Sequence, residues 1–401
     1  LKKLGPGIIF AGAAIGVSHL VQSTRAGADF GWGLLWAFFL VNLFKYPFFQ
    51  YGARYATVTN QSLIDGYGKL GKKYLWIYFF INIINMFTIQ TAVTIVTAGL
   101  TLELLQIDYD IKYISIIITY ISMAILLLGR YKTFDKIIKF VILLLSICSI
   151  TAFVFAFSNN EKTISLTQVF PLKKEAFIFL IAFMGWMPAP LDISVWHSLW
   201  AVKKNQLQNK KESLKQGLFD FNIGYITTLF LGVIFIGLGF FVMYESGIVF
   251  SNSSQIFAEQ FINLYTSLLG KSIYIIIAIA AFTTMFSTTL TTLDGLPRVM
   301  SKISQLLLKK QKKEYYIFWI IILALGTSLI FFWVNEMGFL VKIATLLSFA
   351  TAPFYAILNY KLVIRKDFPK HAQPKKPMKI LSISGIIFLI AFTLAYLLFF
   401  I

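Results

Sequence analysis

The segment Ala176–Trp200, AFIFLIAFMGWMPAPLDISVWHSLW, is apolar and long enough to cross a bilayer, yet it is interrupted at Met187-Pro188-Ala189-Pro190. Each proline removes a backbone donor and clashes with the preceding turn. Two of them two residues apart predict an unwound stretch in mid-membrane. Unwound backbone at that depth is tolerated only where protein or a watered cavity surrounds it. A second interruption lies near the start of the chain. After GPGIIFAGAAI (Gly5–Ile15), the run GVSHLVQSTRAG (Gly16–Gly27) puts Ser, His, Gln, Thr and Arg where hydrocarbon would be. Gly16 gives the backbone the matching latitude there. Paired broken helices are the best sequence pointer to the substrate site of a secondary transporter.

The rest of the chain agrees. Its 401 residues are 58% hydrophobic and 13% charged, with mean hydropathy +0.76, whereas a soluble domain runs nearer a quarter charged. This is an all-α polytopic membrane protein whose surroundings are the lipid bilayer. Cys148 is the sole cysteine, which rules out a disulfide framework and a cysteine metal cluster. The chain starts at Leu1 and no signal-peptide cleavage pattern precedes the first apolar segment. The net charge of +19 does not indicate nucleic acid, because it sits in short loops between apolar runs.

A crossing needs roughly 20 apolar residues. Eleven candidate spans start near Gly5, Trp32, Tyr74, Lys112, Lys136, Ala176, Gly217, Ser272, Tyr316, Gly338 and Ile380. Alternate loops are basic. Lys2 and Lys3 precede span 1; Arg54, Lys69, Lys72 and Lys73 follow span 2; Arg130, Lys132 and Lys136 follow span 4. Lys203, Lys204, Lys210, Lys211 and Lys215 follow span 6, Arg298 to Lys313 supply six more after span 8, and Lys361 to Lys379 continue the pattern after span 10. The intervening loops, LELLQIDYD (Leu102–Asp110), YESGIVFSNSSQ (Tyr244–Gln255) and VNEM (Val334–Met337), are acidic or nearly uncharged; Lys162, Lys173 and Lys174 after span 5 are the exception. Positive-inside logic puts the N-terminus in the cytoplasm and the C-terminus outside, in a bacterial cytoplasmic membrane.

Spans 1–5 and 6–10 form two blocks of five. An odd number per block inverts the second relative to the first. The expected organisation is one transmembrane transporter domain over 1–401. Repeat one covers about 5–160, repeat two about 175–362, and an extra helix about 380–400.

Polar groups within spans are costly and functional by default. Ser18, His19, Met187 and Asp192 are the candidate substrate or metal-binding residues, with backbone at Gly16 and Ala189 exposed by the breaks. Gln22, Trp186 and Thr351 are candidate pocket-lining residues. Arg25 and Asp192 could form a gate ion pair, and His197 could join a proton path. Against these stands a structural alternative: each His satisfies a freed carbonyl at a break, and Asp192 serves an ion pair alone. Span 3 offers Gln90, Thr91, Thr94 and Thr97, and the end of span 8 is rich in Thr, whose hydroxyls glue neighbouring helices. No nucleotide-binding loop and no catalytic constellation is present, so an enzyme is not expected and the driving force is a gradient.

GPGIIFAGAAIGVSHLVQSTRAGADFGWGLLW (Gly5–Trp36) resembles the first helix of the Nramp family of divalent-metal transporters. That family's pattern runs GPG, an apolar stretch, Asp-Pro-Gly-Asn, then AGA.FG..LLW, and the spacing from Gly5 is kept without a gap. STTLTTLDGL (Ser287–Leu296), SFATAPF (Ser348–Phe354), Met187-Pro188 and His197-Ser198 are similar to further family segments. The resemblance covers nearly the whole chain. It implies a LeuT-like fold with helices 1 and 6 broken, and a transported divalent metal such as manganese or iron, with proton coupling and uncoupled, facilitated movement both compatible with the sequence.

The departures fall on the chemistry. Asp-Pro-Gly-Asn is replaced by Gly16, Val17, Ser18 and His19. Met-Pro-His-Asn becomes Met187-Pro188-Ala189-Pro190, about three extra residues precede His197-Ser198, and no acidic residue stands near Gln90 or Thr94. Met187 alone keeps the soft thioether that favours transition metals. Divalent-metal transport through a rebuilt site is the leading expectation. Transport of a small organic solute or other ion is the alternative, resting on Ser18, Gln22, Ser23, Trp186 and Trp196. A non-transporting membrane sensor is the third. No resident cofactor and no protein partner are implied.

Overall fold

The computed structural model describes residues 5–128, 131–159, 163–208, 213–310, 312 and 314–400. Lys2, Lys3, Arg130, Lys162, Lys210, Lys211 and Lys313 from the charge pattern lie outside them. Among the described residues every regular element is a helix. Each expected span falls on a helix or a helix pair. Span 1 is Pro6–Ala14 followed by Ser18–Phe30, span 2 Leu35–Thr59, span 3 Lys72–Leu105, span 4 Ile111–Leu127 and span 5 Tyr131–Ser158. Span 6 is Lys174–Trp186 followed by Ile193–Gln208, span 7 Leu214–Met243, span 8 Tyr274–Leu308, span 9 Glu314–Trp333, span 10 Met337–Val363 and span 11 Lys376–Phe400. Two connecting helices, Leu63–Leu70 and Ser254–Leu269, were not anticipated. The first opens with a capping box, in which Ser62 and Asp65 exchange bonds with each other's backbone. Sequence reading passed over it because it is short and polar.

Length and apolarity alone qualify six helices as crossings, or seven when the two halves of span 1, bent by 47°, count as one. The others are real helices that hydropathy undersells. Span 2 turns Asn42, Lys45, Gln50 and Arg54 into the protein, and span 6 is divided into two short pieces by its prolines.

Packing follows the inverted repeat. Span 7 holds both halves of span 1, and span 2 holds the second half of span 6, as a two-fold axis relating 1 to 6 and 2 to 7 requires. Spans 3 and 8, equivalent by the same operation, pack on each other. The chain is therefore a LeuT-like fold. Large apolar side chains such as Phe80, Ile226, Leu329 and Ile387 are left outward for lipid.

Spans 1 and 7 meet at glycine. A Cβ on Gly7 would lie 2.0 Å from the Asp220 carbonyl oxygen, and one on Gly224 would lie 2.1 Å from that of Gly7. This closeness lets the buried Asp220 carboxylate accept from the amides of Gly5 and Gly7, both at 2.9 Å. A carboxylate on the free amides of a helix N-terminus is favoured by hydrogen bonding and by the helix dipole.

Candidate functional site

The two breaks face each other across the centre of the bundle. In span 1 regular helix ends at Ala14, and Ser18–Ser23 continues as a wider π-helical turn. Such turns free backbone groups and recur at functional sites. A Cβ on Gly16 would come 2.7 Å from Thr288 Oγ1, so glycine lets this break sit against span 8. In span 6 the last regular bond is Met187 N–H to Phe183 O at 3.1 Å, and helix resumes at Ile193. Pro188 cannot donate to Met184 O, and Pro190 cannot donate to Trp186 O. Carbonyls are thereby released inside the protein.

The sequence candidates divide into separate groups. A cavity of about 20 Å³ lies between the breaks and is lined by Ser18, Trp186, Trp196, Ile89, Thr288 and Thr292 among others. Trp186 is fixed there by an Nε1–H bond to Ser348 Oγ at 2.8 Å. Trp196 Nε1 has no hydrogen-bond partner within the described structure. The Met187 sulfur is buried and accepts from Ser23 Oγ at 3.4 Å.

His19 is directed toward span 7. Its Nε2 is 2.9 Å from Thr228 O. Its Nδ1 is 2.7 Å from Ser18 Oγ and 3.1 Å from Ala14 O, while the Ser18 hydroxyl itself bonds Ala14 O. A metal ligand needs an unshared lone pair on one nitrogen. Nε2 donates to Thr228 O and Nδ1 is turned into the break toward Ser18 and Ala14 rather than into the cavity, so the ring ties the break in span 1 to span 7.

The Arg25–Asp192 pair is not formed. Arg25 bonds Asp29 one turn on at 3.1 Å and lies over the Phe179 ring at 5.2 Å. The i,i+4 spacing supplied a nearer carboxylate, and Arg25 is partly exposed while Asp192 is buried. Arg25 and Gln22 instead line a vestibule of about 320 Å³ with Glu175, Glu336 and Lys342. His197 is also removed from the cavity. It packs edge-on against Phe10 and Phe221, with ring centroids 6.2 and 5.7 Å away. Thr351 accepts from Asn85 at 3.4 Å on span 3 rather than lining the cavity.

Asp192 stands one residue before the second half of span 6, at the capping position, close to the amides of Asp192 and Ile193. Neither carboxylate oxygen is met at hydrogen-bond geometry by a described group. Its charge acts on Lys45 and on the phenols of Tyr67, Tyr78 and Tyr355. The hydroxyls of Tyr78 and Tyr355 are likewise buried without a partner.

Lys45 was missed in the sequence. It is fully buried in mid-span 2, and its ammonium reaches the carbonyls released by the break in span 6. Nζ lies 2.7 Å from Met184 O, 2.7 Å from Gly185 O, 3.1 Å from Met187 O and 3.4 Å from Ala189 O. The available signal was a lone cation inside NLFKYPFF (Asn42–Phe49), which intramembrane cost alone marks as functional. Among the described residues, no group of three or more His, Cys, Asp or Glu converges on a metal position.

The sequence profile of the natural resistance-associated macrophage protein-like (Nramp) family matches residues 7–399. An uncharacterized protein of Pasteurella multocida (strain Pm70) is 35% identical over 400 residues, covering 98% of this chain and 91% of the relative. Among solved structures, the manganese transporter of Eremococcus coleocola in complex with an aromatic bis-isothiourea substituted compound superposes with TM-score 0.73 at 12% identity, covering 98% of this chain and 85% of that one. MhsT in complex with L-phenylalanine superposes with TM-score 0.70 at 13% identity, covering 98% of each chain. At such identities these likenesses show the fold alone.

Proposed function

The chain belongs to the Nramp family of transporters, and we propose that it moves a divalent metal cation by alternating access through a mid-membrane site between the breaks in spans 1 and 6. It is a transporter and not an enzyme. The observation that carries the proposal is the pairing of two unwound stretches around a buried cavity, since broken helices supply the backbone carbonyls and helix ends that bind ions. Of the residues proposed for a borderline-soft ion, the Ser18 hydroxyl lines the cavity, while the Met187 thioether and the Asp192 carboxylate stand at the break in span 6 outside its lining. With its ring turned into the break, His19 supports this site by holding the break in place. Loop charge supports a cytoplasmic N-terminus and an outside C-terminus as part of this reading. Any proton movement falls to Asp192 and its neighbours, because the family's carboxylates have no counterpart on span 3.

Calorimetric titration with manganese, iron(II), zinc, magnesium and calcium tests the reading. Saturable heat from a transition metal is expected in the wild type, with affinity lowered about tenfold or more in Met187→Ala. Silence from every ion in folded protein would overturn it. A second reading, a small organic solute, is favoured by the cavity wall. Trp186 and Trp196 offer flat apolar faces, and Ser18, Thr288 and Thr292 offer neutral polar groups. It predicts that thermal stability responds to metabolites and not to metals.

A further inference from the structure

The carbonyls of Met184, Gly185, Met187 and Ala189 converge on one point, and a cation already occupies it. We propose that the Lys45 ammonium is a tethered ion that fills a cation site at the break in span 6, with Asp192 as its counter-charge. The proposal rests on the breaks being the cargo site, and not on the cargo being a metal.

Rings of carbonyl oxygens are how proteins replace the hydration shell of a small cation. An ammonium group offers three protons, and two of its contacts here are at the short 2.7 Å characteristic of charge-assisted bonds. A bystander reading, in which Lys45 merely satisfies stray carbonyls, accounts poorly for the charge. A neutral amide or hydroxyl would satisfy the same oxygens with far less desolvation cost. Asp192, buried at the end of the same break and next to the amides of Asp192 and Ile193, makes no ion pair within 4 Å among the described residues and is the acidic group whose field reaches Lys45. A buried carboxylate in that condition needs a cation close to it. The four carbonyls thus make up the ligand set of a monovalent cation, with Asp192 as a counter-charge beyond bonding distance, and span 2 supplies the ion. A free ion can use these oxygens only by displacing the amine.

The test compares wild type, Lys45→Ala and Lys45→Met as full chains in lipid nanodiscs. Thermal unfolding is followed in sodium, potassium, methylammonium or manganese chloride, against N-methylglucamine chloride at matched ionic strength. Wild type is expected to unfold at one temperature in sodium, potassium, methylammonium and N-methylglucamine. Lys45→Ala is expected to unfold about 5 °C lower or more in N-methylglucamine, and to recover at least half of that loss in methylammonium or potassium. Lys45→Met, which keeps the packed stem but leaves room only for a bare ion, is expected to recover in potassium or sodium.

Variants indifferent to every small cation would overturn the proposal. So would a wild type that responds to monovalent ions as strongly as the variants do. Failure to obtain either variant folded in any of these salts would also overturn it, since a supplied cation should restore what the amine provided. The manganese arm reads the cargo separately. A wild type stabilised by manganese alone keeps the metal reading and leaves the tether to be judged on the monovalent ions. A wild type blind to manganese, beside variants rescued by potassium, keeps the tether and removes the metal.

Discussion

Lys45 and His19 are ionisable side chains that each tie a broken helix to its neighbour. They do so from opposite directions. Lys45 comes from span 2 to four carbonyls of span 6, whereas His19 lies in the break of span 1 and reaches out to Thr228 O on span 7. Removing the imidazole should therefore act first on stability. His19→Ala leaves Thr228 O without the Nε2–H donor, while Ala14 O keeps the Gly16 amide and the Ser18 hydroxyl. It is expected to cost about 1–3 kcal/mol, seen as a lower unfolding midpoint whether or not any cargo is present. A change confined to cargo affinity, with the midpoint unmoved, would return His19 to the ligand set. This is also where residue-level reading of the sequence reached its limit. That a polar group in a span matters was legible at His19, Arg25 and Asp192. Which partner each one finds was not, because that depends on the neighbouring helix. Arg25 took Asp29 four residues along its own helix, and Asp192 came to face tyrosines from spans 3 and 10 and from the connecting helix Leu63–Leu70, none of which periodicity could bring together.

The half-helices are the elements on which an alternating-access cycle would turn. The first half of span 1 is short, and its N-terminal amides are held by one carboxylate, Asp220. Asp220→Ala removes both acceptors at a site where glycines press the backbones together. The expected result is a loss of about 1–3 kcal/mol and faster amide hydrogen exchange at residues 8–14, with spans 9 and 11 unchanged. Exchange that quickens evenly across the bundle would argue against a local clasp. Asp220→Asn keeps one acceptor oxygen and is expected to fall between the two. The breaks themselves were the most legible elements in the chain. Pro188 and Pro190 leave span 6 no continuous hydrogen-bond ladder, and Gly16 with its polar neighbours marks span 1. Hidden from the sequence was the π-helical turn Ser18–Ser23, a matter of one extra residue per turn that no side-chain pattern announces.

For the whole molecule, length and apolarity alone qualify six or seven of the described helices as crossings, and it was the alternation of loop charge, which obeys the bilayer rather than any tertiary detail, that carried the reading to eleven spans in two blocks. Sidedness remains a proposal with a direct check. Cys148 is the only cysteine, so one substitution gives a background for site-directed labelling. In intact cells a membrane-impermeant maleimide is expected to label Ser165→Cys, in the loop after span 5, and to reach Lys366→Cys, after span 10, only once the membrane is opened. The reverse pattern would turn the molecule over in the membrane. The contact between Lys45 and the break in span 6 has a consequence at this scale too. An ion dissolved in the medium occupies its site in proportion to its concentration, but a side chain held within bond distance acts at an effective concentration far above that of ordinary salt. A transporter that carries one of its cations on its own side chain has that site filled in brine and in fresh water alike. Its working state is then independent of the sodium and potassium on either side of the membrane.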